Sequence, residues 1–230
     1  YIPEDLFEII DEVTKEERGG KSTEPLGRPA TPVEKAFEIP ASDHILDDAT
    51  TLLAALRLNL ASNGSLALRV PLDRQKLAPA LQNLLITASL IKKDVPQAEA
   101  VKSFLAASRA DALKWLGEAW QSSQTFDELR LIPTILCEGE WKNQPLVTRE
   151  FLLDLVNAIP QNKWWSIPAF IRSIKEKFPD YQRPAGDYDS WFIKRTSDGQ
   201  FLRGFAYWDQ VDGALIKYFI QILHWLGMAD

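Results

Sequence analysis

The sequence predicts a mainly α-helical protein with small β-hairpins. Three observations carry that prediction. Apolar residues recur at helical spacing through most of the chain. Residues 178–208 break that rhythm, setting Tyr181, Tyr188, Trp191, Phe192, Phe201, Phe205, Tyr207 and Trp208 among Pro, Gly and Asp turn residues. Within them, Asp198-Gly199 separates two apolar-rich runs, which is a hairpin signal. The 230 residues are 46% hydrophobic and 25% charged, enough to bury a sizeable core.

Residues 3–13 read as a short helix. Pro3 suits a first turn, Glu4 and Asp5 favour the positive helix end, and Leu6, Ile9, Ile10 and Val13 share one face. Residues 14–41 lose the period. Gly19-Gly20, Pro25, Gly27, Pro29, Pro32 and Pro40 make them a flexible linker, so residues 1–41 form one region of helix and linker.

A first helical cluster follows. Ser42 or Asp43 caps a helix to about residue 60, with Leu46, Leu53, Leu56 and Leu60 inward. Residues 62–65 are a turn, and residues 66–70 alternate briefly as a short strand. Residues 73–92 resume helical spacing through Leu77, Leu81, Leu84, Leu85 and Leu90, with Pro79 a candidate break. Residues 97–107 and 109–121 are two further helices, the second carrying Leu113, Leu116 and Trp120 on one face. Thr125 caps a short helix toward residue 132, where Pro133 disturbs the end.

A second cluster starts at Thr148, a good N-cap, and runs through Phe151, Leu152, Leu155, Val156 and Ile159 to Pro160. Ser166 caps the next helix. Its inner face is Ile167, Phe170, Ile171, Ile174 and Phe178, and its outer face carries Arg172, Lys175, Glu176 and Lys177. Residues 191–195 and 200–205 then flank the 196–199 turn. Alternation puts Trp191 and Ile193 on one face, and Phe192 and Lys194 on the other. Asp209 caps the last helix, with Leu215, Tyr218, Phe219, Ile222, Leu223 and Leu226 inward and Gly227 as its stop.

Charge narrows the function. Residues 1–147 hold 16 Lys/Arg against 22 Asp/Glu and residues 148–230 hold 10 against 10, so the net charge of −6 lies in the first part. Neither part is a strong nonspecific nucleic-acid binder, which needs clustered Lys and Arg, but a local patch remains open. The single cysteine, Cys137, has no internal disulfide partner, and no apolar run has membrane-spanning length. A cytoplasmic location, with no membrane partner, is the default expectation. The chain starts at Tyr1 and stops at Asp230 directly after an apolar helix, and reads as a fragment of a larger protein.

Several residues offer chemistry. Asp43, His44, Asp47 and Asp48 are potential metal ligands, but the plainer reading is a first helical turn rich in acids. Asp187 and Asp189 beside tryptophans suggest a glycosidase pair, against the plainer reading of turn-making carboxylates. His224 and Cys137 have no catalytic neighbour in sequence. No phosphate loop, dinucleotide fingerprint, zinc spacing or nucleophile elbow is present, so neither enzymatic activity nor a cofactor or metal is expected. Lys194, Arg195 and Arg203 interleave with Trp191, Phe192 and Phe201, a mixture suited to stacking bases. The competing reading is a hairpin pinned over the helices by its aromatics.

The run from Trp165-Ser166 to Phe178, followed by PDYQRP (179–184), GDYDSW (186–191), LRGF (202–205), WDQVDGAL (208–215) and WLG (225–227), resembles bacterial helicase-associated proteins with an XPB/Ssl2 N-terminal-like domain. The opening YIPEDL also resembles the segment that precedes such modules. The resemblance covers most of the chain and is sharpest from about Trp141 onward. It implies tandem winged-helix-like units: a first at 42–108, a helical connector at 109–147, and a second at 148–230. In the second unit the aromatic hairpin is an insertion before the third helix, and the wing would follow residue 230. The third helix offers only Lys217, Gln221 and His224 on its polar side.

The implied function is a non-catalytic module that binds DNA or associates with DNA-processing machinery. Its expected phosphate contacts are Arg172, Lys175, Lys194, Arg195 and Arg203, and its expected partners are DNA and other domains of the parent protein. The alternative is a protein-protein interaction scaffold with no direct nucleic-acid contact. A carbohydrate-active enzyme using Asp187 and Asp189 is a third class.

Overall fold

The computed structural model describes residues 24–35, 39–58 and 78–230. The helix expected at 3–13, the turn and strand expected at 62–70, and the first part of the 73–92 helix lie outside these residues. The protein is mainly helical, and two small antiparallel strand pairs occur among the described residues. Its elements are α1 His44–Arg57, α2 Ala78–Thr87, β1 Ile91–Lys92, β2 Val95–Pro96, α3 Ala98–Ala106, α4 Arg109–Gln121 and α5 Glu128–Leu131. There follow β3 Ile135–Glu138, α6 Pro145–Asn157, α7 Ile167–Lys177, β4 Phe192–Arg195, a 3-10 turn Phe205–Tyr207 and α8 Trp208–Trp225.

By contact the chain divides into two compact units, each built from two stretches of sequence. One joins residues 1–36 to 147–181, and the other joins 37–146 to 182–230. This grouping differs from a linear division at residue 148, because α8 falls with 37–146 rather than with α7.

In the larger unit α1 packs on α2 and α4, α2 packs on α4 and α5, and α8 packs on α5. Ile45, Leu46, Leu52 and Leu53 of α1 meet a core that includes Leu81, Leu84 and Leu85 of α2 and Leu116 and Trp120 of α4, all buried. Helix α8 is buried over most of its circumference, through Val211, Leu215, Ile216, Tyr218, Phe219, Ile222 and Leu223. A helix apolar on so many sides belongs to an interior. Trp120 lies 5.6 Å from Phe219, ring to ring, and its indole donates to the buried Glu128 carboxyl at 2.9 Å. Gly227 ends α8 in a left-handed conformation (φ 71°). The Met228 amide reaches back to Leu223 O and the Gly227 amide to His224 O, closing the helix as a Schellman motif.

Four local expectations change. The helix expected to reach residue 92 stops at Thr87, because residues 91–96 turn back as the β1–β2 hairpin. Its two-residue turn puts Lys93 and Asp94 at positive φ, the geometry that matches strand twist. Thr148 is no cap. Pro145, whose missing N–H is harmless at a first position, begins α6, and Thr148 is buried in the first turn. Asp127, not Thr125, caps α5 by accepting from the Leu129 and Arg130 amides. Asp209 lies inside the first turn of α8, after Tyr207.

The aromatic hairpin is formed only in part. β4 pairs along its length with β3, in the register Leu136↔Lys194 and Glu138↔Phe192. The expected second arm contributes one bridge, Lys194↔Phe201, and two hydrogen bonds, Arg195 N to Gln200 O and Leu202 N to Ile193 O, before the 3-10 turn.

In the smaller unit Phe151, Leu152 and Leu155 of α6 and Phe170, Ile171 and Ile174 of α7 are buried. The Phe151 ring stacks on Tyr181 at 5.8 Å and meets the edge of Phe178 at 5.4 Å. Residues 24–35, expected within a flexible linker, are fastened to the start of α7. Trp165 Nε1 donates to Leu26 O (2.6 Å), Ser166 N to Arg28 O (3.0 Å) and Ala30 N to Trp164 O (2.9 Å).

Glu34 is the hub of this docking. It accepts from the Arg28 guanidinium (2.8 and 3.1 Å), the Thr31 amide and hydroxyl (2.7 and 2.9 Å) and the Ser166 hydroxyl (2.6 Å). Arg28 first, then Ser166 and Thr31, hold the Glu34 carboxyl far below the usual carboxylate range. A depressed folded-state pKa means that the unfolded chain binds the proton more readily. The contribution of Glu34 is therefore present above the unfolded value of about 4.3 and is lost as pH falls through the folded value. Hydrogen exchange of the Ala30 and Ser166 amides, corrected for intrinsic rates, is expected to accelerate on acidification toward about pH 3. Glu34→Gln should give the faster exchange already at neutral pH. Equal protection in variant and wild type would contradict the assignment.

Candidate nucleic-acid interface

The faces of β4 divide as its alternation predicts. Trp191 and Ile193 are buried, while Phe192 is exposed and Lys194 is half-buried. Behind the sheet runs a ladder of stacked side chains. The Arg130 guanidinium lies 4.4 Å over the Trp141 ring, which stacks on Trp191 at 4.6 Å and 13°. Arg183 lies 4.6 Å from the Trp191 ring and 4.9 Å from Tyr188, and Tyr188 meets the edge of Phe205 at 5.3 Å.

Both guanidiniums are anchored. Arg130 donates to Trp141 O at 3.0 Å and pairs with Asp127 at 3.3 Å. Arg183, almost wholly buried, donates to Asp212 Oδ1 at 2.7 Å, and Gln182 Nε2 donates to the same oxygen at 2.7 Å. Burial pushes the Asp212 carboxyl up, opposed by Arg183 and Gln182.

In front of the sheet, Phe192, Phe201 and Leu136 are each more than two-fifths exposed. The two phenyl rings meet edge to face at 6.4 Å and 77°. The Arg203 guanidinium lies 4.5 Å from Phe192 and 5.1 Å from Phe201, and Lys194 Nζ lies 4.7 Å from Phe201. Each cation over a ring face gains about 0.5–1 kcal/mol at an exposed site.

The expected phosphate contacts fall differently. Lys194 pairs with Glu138 at 2.7 Å. Arg195 is held by Asp198 (2.6 Å), Gln200 (3.0 Å) and Gln210 (2.8 and 3.1 Å). Arg203 is exposed and, among the described residues, has no carboxylate partner. These three stand in the larger unit. Arg172, exposed, and Lys175, half-buried, stand on α7 in the smaller one. Glu138, Leu136 and Trp141 come from the connector and escape a reading centred on the aromatic stretch. The signal that would have found them is the short apolar run 135–137 after Pro133.

The other candidates serve local structure. Arg109 donates to Asp43 and, at 2.9 Å, to Asp47. Its guanidinium, more than any other cause, holds both carboxyls below their usual range. Among the described residues no group of three or more His, Cys, Asp and Glu is placed to hold a metal ion. Asp187 accepts from the Ser190 amide at 3.0 Å and from the Ser190 hydroxyl, an Asx turn. Burial raises the Asp187 carboxyl, but hydrogen bonds from Ser190 and Asp189 together with the charge of Arg183 outweigh it and leave it below the usual range, opposite to what a general acid needs. Burial pushes the Cys137 thiol up to about 11, so little nucleophilic thiolate forms near neutral pH. His224 Nε2 sits 3.0 Å from Ile39 O at the end of α8. No described helix is long and apolar enough to cross a membrane.

No family model, curated protein or solved structure matches the chain.

Proposed function

We propose that this chain is a non-catalytic DNA-binding or DNA-processing-associated module that makes contact through the outer face of β3 and β4. The observation that carries the reading is the exposed pair Phe192 and Phe201 with the Arg203 guanidinium over both rings. Base-aromatic stacking contributes about 1–3 kcal/mol per base, and arginine adds charge and a planar surface. Arg203 is the direct phosphate contact at this face, while Lys194 and Arg195, each paired with a carboxylate, add positive potential beside the rings. Arg172 and Lys175 are expected phosphate contacts of the smaller unit, on α7.

A winged-helix-like arrangement belongs to the same proposal. It is supported at residues 42–108 by the order α1, α2, β1–β2. For residues 148–230 the support is the helix order α6, α7, α8 alone.

Fluorescence anisotropy of labelled DNA tests the reading. Phe192→Ala with Phe201→Ala is expected to weaken binding at least about tenfold. Lys194→Glu with Arg195→Glu should also weaken it, most at low salt. Absence of binding to every duplex and single strand would overturn the proposal. One observation favours a second reading, a protein-docking surface. Leu136, 52% exposed beside the rings, is aliphatic and gives a base no stacking plane. Leu136→Ser should leave DNA affinity unchanged, and its loss of a protein partner with intact DNA binding would support the second reading.

A further inference from the structure

We infer that the nucleic acid taken by this face is a single strand with weakly stacked, pyrimidine-rich bases, and not a duplex; the inference rests on the nucleic-acid reading above. Phe192 and Phe201 are each more than two-fifths exposed at the sheet surface, with the Arg203 guanidinium beside both rings. In a duplex the faces of the bases are covered by their neighbours, and only an unstacked base can lie on a phenyl ring.

The charges point the same way. Duplex affinity comes from neutralising many phosphates, with commonly 6–10 such contacts in a specific complex (roughly). At this face Glu138 already holds Lys194, and Asp198 already holds Arg195. Arg203 is left as the cation without a carboxylate among the described residues. One guanidinium lying over two rings suits a strand bound by stacking, with a phosphate or a base edge beside it.

The angle between the rings narrows the class further. At 77° one base cannot lie flat on both rings. Each ring takes its own base, and the two bases must splay. Splaying is cheapest for pyrimidine runs, whose own stacking is weak and whose backbone is flexible. The support is packed. Trp191, Ile193 and Leu202, which alternate with the two rings along the chain, are buried, and Trp191 belongs to the Arg130–Trp141–Trp191–Arg183 stack. Little ordering of the protein is therefore left for the binding step.

The test uses the full chain and fluorescently labelled dT, dA and rU oligomers of about 12 nucleotides, a length within the usual single-strand site sizes. A duplex of equal length is the fourth probe, and each is titrated between about 50 and 200 mM salt. The expected result is dT bound at least about tenfold tighter than the duplex, and tighter than dA. The log–log salt slope should be near −1, as one or two neutralised phosphates of a single strand give (roughly −0.7 each). Phe192→Ala and Phe201→Ala should each weaken dT binding about tenfold while lowering the melting temperature by no more than about a few degrees, because both rings are at the surface. Arg203→Gln should flatten the salt slope.

Duplex bound as tightly as dT would overturn the inference and leave the module reading standing. No binding to any probe would overturn both. dA bound as tightly as dT would overturn the pyrimidine preference. Similar affinity for rU and dT is what stacking predicts. A preference above about tenfold for rU over dT, which carries the extra base methyl, would show contacts to the 2′-hydroxyl dominating, and would overturn the stacking basis.

Discussion

Replacing Asp212 with alanine is expected to destabilise the protein by about 3–5 kcal/mol, the largest single effect among the changes considered. The carboxylate is almost fully buried on α8 and accepts from both Arg183 and Gln182. Truncation leaves a buried guanidinium without its counter-charge, sandwiched between Trp191 and Tyr188. Arg183→Leu is expected to cost a similar amount by stranding the carboxylate instead. Changing both, Arg183→Met with Asp212→Leu, should recover much of the loss, because two apolar groups of similar volume need no counter-charge. Urea unfolding of the four proteins measures each single loss and the recovery in the double variant. A single Asp212→Ala loss below about 1 kcal/mol would show that the pair is solvated and that the buried-charge account is wrong.

Gly27→Ala is expected to release residues 24–35 from α7 and to destabilise the smaller unit by about 2–5 kcal/mol, as backbone strain plus overpacking. Two independent constraints meet at this residue. Its φ of +85° lies in the left-handed region, and an added Cβ would lie 2.8 Å from Phe170 N and 3.0 Å from Phe170 Cα. Both are backbone atoms inside a helix, so neither can swing aside. Gly199 is the control. Its φ is +69° but nothing lies within 4 Å, so Gly199→Ala carries only the conformational penalty of about 1–2 kcal/mol. Limited proteolysis between residues 24 and 35 should therefore be faster for Gly27→Ala and unchanged for Gly199→Ala. Identical digestion of the two variants would contradict the close approach.

Elements set by local pattern were legible in the sequence. Helix α4 runs from residue 109 to 121 as read, because Ser108 caps it by accepting from the Asp111 amide and the apolar spacing is unbroken. Ser166 likewise caps α7. What escaped depended on distant partners. β3 carries little alternation of its own, and its partner strand begins more than fifty residues later. The stacking of Trp141 on Trp191 is non-local for the same reason. The docking of residues 24–35 was hidden by composition, since Pro and Gly signal loss of regular structure whether or not a segment is held in place. At the candidate site, the outward placing of Phe192 and Lys194 followed from strand alternation alone. The carboxylates that occupy Lys194 and Arg195 did not, because Glu138 lies on β3 and the Asp198 contact depends on the turn geometry.

The two-segment make-up of each unit has a consequence for how this chain can be cut. Because residues 147–181 interrupt one unit, and residues 37–146 separate the halves of the other, no single cleavage point separates the two units: a cut after residue 36 keeps the larger whole but divides the smaller, and a cut after residue 181 does the reverse. A fragment beginning at residue 148, the boundary the sequence makes natural, would lack the strand that pairs with β4 and the segment that docks on α7. During synthesis the β3 backbone likewise emerges well before the strand that completes it. Assembly of that sheet must await the last quarter of the chain, the kind of long-range closure that slows folding. Soluble pieces of this protein are expected only from trimming its ends or from joining segments across the interruptions.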